Sequence, residues 1–150
     1  MRKRNLSFIP VLLLSIAGVI ILIVLFFPSE KDQVIEAAEE FYTLEQQGEA
    51  SSSWDYLHPD LQKRFSKDQY IIDRSALLNE HFQSDSFSYS LGSPEKIDSW
   101  QMTNEATPLP VYQVEATIRY NSVYGKMEMV QYLYITELNE EWKILWDYNF

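Results

Sequence analysis

The chain has 150 residues, 12 lysines and arginines against 22 acidic side chains, a formal net charge of −10 and no cysteine. The acidic balance excludes nucleic acid and anionic lipid headgroups as natural partners, because both demand a cationic surface. Without cysteine there is no disulfide, thiolate-bound metal, iron–sulfur cluster, thiol nucleophile or cysteine-linked lipid.

In chain order the first feature is residues 8–27, bounded by Phe8 and Phe27, which read FIPVLLLSIAGVIILIVLFF with no charge behind Arg2, Lys3 and Arg4. Twenty helical residues span roughly 30 Å, the thickness of a bilayer's hydrocarbon core. The basic cluster favours the cytoplasm, which places the rest of the chain outside the cell. A cleaved signal peptide is the competing reading. Its apolar region is usually shorter and ends at a small-residue site, whereas this run exits through Phe26, Phe27, Pro28, Ser29 and Glu30. The expected organisation is a cytoplasmic N-terminus over residues 1–7, a transmembrane signal anchor over 8–27, a linker over 28–31 and an extracytoplasmic domain over 32–150. Setting Arg2, Lys3 and Arg4 aside, nine basic residues face 22 acidic ones outside, a net of −13.

Residues 32–47 predict a first helix. Val34, Ala38, Phe41 and Glu45 share one line, flanked by Ala37 and Leu44, while Glu36, Glu39 and Glu40 make a solvent face. Asp32 is placed to cap its start and Gly48 to follow its end. Ser51, Ser52 and Ser53 open a short helix carrying Trp54 and Leu57, which the pair His58-Pro59 breaks. Pro59 starts a further turn ending near Phe65. Ser66 and Gln69 form a capping-box pattern for a third helix over 67–79, with Tyr70, Ile71, Arg74, Leu77 and Leu78 on one side. Lys63, Arg64 and Lys67 read as a solvated face.

The period then changes. Phe87, Tyr89 and Leu91 alternate with polar residues, predicting a strand before Pro94, and 97–102 predicts a second. Residues 104–110 read as a loop. Tyr112, Val114, Ala116, Ile118 and Tyr120 give a strand with one buried face. A turn over 121–126 leads to a strand over 127–137 that is apolar on both sides, the pattern of a strand covered twice. Asn139 to Glu141 turns the chain into a last strand with Trp142, Ile144, Trp146 and Tyr148 on one face. The expected class is α+β, three helices followed by an antiparallel meander, with the helices on one sheet face.

Ala38, Phe41 and Tyr42, then Trp54, Tyr56, Leu57, His58 and Pro59, then Phe65, Ser66, Lys67 and Tyr70, and the closing run from Glu141 to Trp146 carry a resemblance. In this order they resemble the NTF2-like (nuclear transport factor 2-like) superfamily, most of all its small extracytoplasmic bacterial members. The N-terminal domain of some penicillin-binding transpeptidases is one of these. The resemblance implies a cone, a curved antiparallel sheet wrapped around the helices, often with an open cavity. It also implies a membrane-held module that docks onto envelope proteins or assembles as a homodimer. No transpeptidase segment follows, so no peptidoglycan chemistry is carried over.

Candidate sites follow from residue type. Tyr112, Tyr132, Trp142 and Trp146 are the candidate lining of the cone's cavity; they either fill it or receive a small hydrophobic ligand. NTF2-like isomerases and dehydratases use an Asp or His base with a second acid in an apolar pocket. Here Asp147 is out of phase with the apolar face, and Asp73 is the other candidate base considered. His58 reads as a helix-end cap and His81 as a helix C-terminal residue, neither spaced as a metal ligand. No nucleotide-binding loop or nucleophile elbow occurs. The expectation is a non-enzymatic chain with no catalytic residue, metal or cofactor.

Overall fold

A computed structural model describes residues 10, 12–18, 28–77 and 87–149. The chain divides into two units, Met1–Glu30 and Lys31–Phe150. In the first, residues 12–18 are helical and expose Leu12, Leu13, Leu14 and Ile16. Among the described residues no helix is long and apolar enough to cross a membrane. Most of the predicted anchor over 8–27 lies outside the described residues, as do Leu78, Asn79 and His81.

The second unit begins with α1 (Glu30–Gln46), α2 (Ala50–Ser53), a 3-10 turn (Trp54–Tyr56), α3 (Pro59–Arg64) and α4 (Lys67–Ala76). Five strands follow: β1 (Phe87–Leu91), β2 (Glu95–Trp100), β3 (Leu109–Ser122), β4 (Gly125–Leu138) and β5 (Glu141–Leu145). The expected α+β class is present, in more helical pieces than the three expected. α1 starts two residues early, so Asp32 lies inside its first turn and does not cap it. At the other end Gly48 has φ +76°. Its N–H donates to the Glu45 carbonyl at 3.2 Å and that of Glu49 to Leu44 at 2.9 Å, the paired bonds of a Schellman stop. His58 caps α3, its Nδ1 accepting from the Asp60 N–H at 3.2 Å. Ser66 Oγ accepts from the Gln69 N–H, but the Gln69 side chain bonds Asp73, so half of the capping box forms.

The sheet order is β1-β3-β4-β5, all antiparallel, with β2 also on β3. This corrects the simple meander. β1 pairs with residues 116–120 of β3 and β2 with the stretch from Leu109 to Gln113, so they lie end to end along one edge. The second strand runs from Glu95, not from 97 to 102, and the last ends at Leu145, before Trp146 and Tyr148. Between β4 and β5, Asn139 and Glu140 both take positive φ, +54° and +67°, the two-residue turn that matches a hairpin's twist.

α1 lies on the inner face through Val34, Ala38, Phe41 and Tyr42, all fully buried. They meet Leu57 and Leu61 from the short helices and Val114, Ala116, Ile118, Leu133, Ile135 and Ile144 from the sheet. Gln33 near the start of α1 accepts from Trp142 Nε1 at 3.2 Å, while Gln46 at its end donates to the Phe87 carbonyl at 2.5 Å. Phe87 is opposite Tyr120, and Tyr120 opposite Met127. The β3–β4 hairpin tip therefore projects from the end of the domain opposite to where the chain enters.

The one acid in the apolar line of α1, Glu45, is 3% exposed. Its carboxylate pairs with the Arg74 guanidinium and accepts from Ser53 Oγ and, at 2.7 Å, from Tyr70 Oη. Burial works against the Arg74 cation, but Glu45 together with the Tyr70 and Tyr120 hydroxyls outweighs it and raises its pKa. Burial also pushes the Tyr70 hydroxyl far up, which keeps it a donor. One buried charge thus ties α1, α2 and α4 together.

Three outcomes follow for the full chain in detergent. Arg74→Met leaves Glu45 buried without a counter-charge, held only by Ser53 and Tyr70, and costs about 3 kcal/mol. Glu45→Leu with Arg74→Met costs less than that single change, measured by thermal unfolding; an additive loss would refute the clasp. Burial lowers the pKa of His58, against the pull of Asp60. Its folded value is depressed, so this contribution is full above pH ~6.5 and falls as pH drops through the folded value. Protonating Nδ1 also removes the acceptor that caps α3. His58→Asn keeps an acceptor without titrating, so the acid-side loss of about 1 kcal/mol should shrink in its unfolding profile. Glu140→Gly relieves a positive φ and should raise stability by up to about 1 kcal/mol in the same unfolding assay.

Candidate functional site

The four aromatic residues proposed to line one cavity occupy three places. Tyr112 is buried and meets Trp142 edge-on, ring centroids 6.0 Å apart. Trp146 packs inside against Phe65 at 6.0 Å, and its Nε1 is buried without a hydrogen-bond partner among the described residues. Tyr132 is on the opposite, outer face, its hydroxyl donating to Glu115 at 3.2 Å. Of the four, Trp142 alone lines a surface groove of about 450 Å³ between α1, the 3-10 turn and β5.

That groove carries Glu36, Glu40, Asp55 and Glu141 around Trp142. Its carboxylates are largely engaged. Lys143 pairs with Glu141 at 2.6 Å, Lys67 with Asp55 at 2.8 Å, and Tyr56 Oη donates to Glu40 at 2.5 Å. The bond to Glu40, with burial, pushes Tyr56 up to about 12. The basic cluster is likewise spent on neighbours: Lys63 on Asp60, Lys67 on Asp55, and Arg64 over the Tyr148 ring at 3.9 Å. Asp73 and Asp147 are exposed. Among the described residues no three His, Asp or Glu side chains group as metal ligands.

A different feature stands out at the far end of the sheet. β4 was expected to be covered on both faces, and near Tyr134 it is. Leu133 and Ile135 are buried under the helices, while Trp100 stacks on Tyr134 outside at 4.2 Å. From 125 to 132 β4 opens to solvent, although Gln131 accepts from Tyr42 of α1 and Ile118 and Tyr120 opposite stay buried. Val130 is 50% exposed, Tyr132 44%, Met127 40% and Met129 38%, and the turn residues Val123 and Tyr124 reach 67% and 78%.

The same stretch has an open edge. β5 pairs only with residues 134–138 of β4, after which the chain leaves the sheet, the Tyr148 N–H donating to the Met102 carbonyl. The direction of the backbone groups follows from pairing. Gly92 N–H donates to the Glu115 carbonyl, so Glu115 points its backbone away from β4. Tyr132, opposite Glu115, must then point its own away from β3. With period two, Lys126, Glu128 and Val130 do the same. The Ile144 carbonyl, which accepts from His58 N–H on the far side of β5, gives the same parity independently. Among the described residues, no strand meets the N–H and C=O groups of these four.

Edges of this kind are usually guarded by proline, bulges or inward charges. Here the register from Tyr112 to Ser122 opposite β4 is unbroken, and the edge's one acid, Glu128, is neutralised by Arg119 at 2.8 Å. Sequence reasoning missed this site because it assigned both apolar faces of β4 to burial. The signal that was available is length: the predicted last strand was too short to cover the one before it.

In comparison with known proteins, no family model matches the chain and no curated protein matches it.

Proposed function

We propose that the chain is a single-pass membrane protein whose extracytoplasmic NTF2-like domain is a non-enzymatic interaction or assembly module of the bacterial cell envelope. The observation that carries this reading is the distal half of β4, where Met127, Met129, Val130 and Tyr132 are exposed and one edge is open. Exposed apolar surface of this kind on a small domain marks a contact with another protein. The anchor rests on residues 8–27, whose described part is helical and presents exposed leucines. The cone is supported by helices packed inside one antiparallel sheet. Asp73 and Asp147 both lie at the surface, where a carboxyl lacks the apolar burial that would tune it as a base.

A photoreactive phenylalanine in place of Tyr132, in the full chain in native membranes, tests the module. Illumination should give a product heavier than the 17.7 kDa chain. The same group in place of Ile72, exposed on α4, should give none. Absence of any product from Tyr132, Val130 and Tyr124 positions alike would overturn the interaction reading.

A further inference from the structure

We propose that the occupant of this edge is the same edge of a second copy of the chain. Two β4 strands would pair antiparallel about a two-fold axis at Met129 and join two sheets into one. The proposal rests on the interaction-module reading and specifies its partner.

The register follows from the geometry of the edge. Outward backbone groups belong to Lys126, Glu128, Val130 and Tyr132, so a symmetric pairing must set these four against one another and centre on a residue. Centring on Glu128 places the two Glu128 side chains face to face, which is repulsive. Centring on Val130 drives Lys126 onto position 134, where β5 already sits. Centring on Met127 engages the turn at 123 and 124 in place of strand. Centring on Met129 uses the free edge from 126 to 132 end to end, so every outward N–H finds a carbonyl.

The side chains then agree with the backbone. On the inner face Met129 meets its own copy, and Met127 lies opposite Gln131, whose side-chain oxygen already accepts from Tyr42. On the outer face Glu128 lies opposite Val130 and keeps Arg119 as its counter-ion. Lys126 lies opposite Tyr132 of the second copy, whose hydroxyl holds Glu115, so a cation approaches an acid. The edge therefore carries Lys126 and Arg119 against Glu115 and Glu128 and is locally neutral, although the chain as a whole is acidic. Edge pairing of this kind is isologous, closing after two copies. It also removes the aggregation hazard that an open, apolar strand poses.

The absence of native cysteine makes the test direct. In an antiparallel pair the non-hydrogen-bonded positions bring side chains closest, and Met129 opposite Met129 is one of them. The full-length Met129→Cys chain, oxidised in native membranes, should form a disulfide-linked species at twice 17.7 kDa. Ile72→Cys should stay monomeric, which controls for crowding by the anchors. Adding Val130→Pro to Met129→Cys removes an outward N–H that the domain's own ladder does not use. The disulfide should then be lost while the melting temperature is kept. No disulfide from Met129→Cys, or equal amounts from Ile72→Cys, would overturn the proposal. A photo-crosslinked product of a different mass from the Tyr132 position would overturn the second copy while sparing the interaction reading. No product from either experiment removes both.

Discussion

A carboxylate in a protein interior needs a counter-charge and hydrogen bonds, because its desolvation otherwise exceeds what packing returns. Glu45 occupies the buried line of α1 and draws its partners from two other helices: Arg74 and Tyr70 of α4 and Ser53 of α2. The helical layer is thereby locked as a unit at the C-terminal end of α1. That end also bonds Phe87 through Gln46 and Tyr89 through Thr43, which fixes where along the sheet the helices stop. Apolar packing alone would allow α1 to slide along a greasy face. The buried ion cluster, with directional bonds, does not.

The stopping point divides the sheet into two halves of different character. Toward the β4–β5 turn, helices cover one face, and Trp100 covers Tyr134 on the other. The segment following β2 meets the chain's end there, through Met102 with Tyr148 and Gln101 with Asn149. Toward the β3–β4 turn β4 continues without Trp100 and without β5, although Ile118 and Tyr120 of β3 remain buried beside it. Gly125, at φ +105°, closes that turn in a conformation that glycine adopts without strain. Long strands with a short outer neighbour are expensive to leave bare, since apolar area and ladder groups both face water. Their presence on an otherwise well-packed domain sets the distal part of β4 apart from the rest of the sheet.

The groove beside Trp142 contrasts with this edge. Its rim is acidic, yet its charges are paired within the domain, and Tyr56 donates to Glu40 where a ligand's donor would otherwise bind. A site whose polar groups already satisfy each other offers little to an incoming molecule. The hairpin edge is the reverse case, with backbone donors and acceptors that meet no strand among the described residues.

Periodicity alone set much of this fold. The helical stripe through Val34, Ala38 and Phe41, the stop at Gly48, the caps at His58 and Ser66 and the alternation from Tyr112 to Tyr120 all depend on neighbours in the chain, so they were legible. The class followed, helices before strands. What could not be read were relations between distant residues. Glu45 fitted the apolar line by spacing, but its partner Arg74 is 29 positions away, and only the packing of α4 against α1 joins them. β1 and β2 lie end to end on β3 because strand pairing is chosen by tertiary contact and not by order. Tyr112, Tyr132, Trp142 and Trp146 share a residue type, yet strand parity and the exit of the chain after Leu145 send them to different surroundings. The open edge is decided in the same way. Sequence wrote two apolar faces into β4, and only the assembled sheet determined how far its neighbour would run beside it.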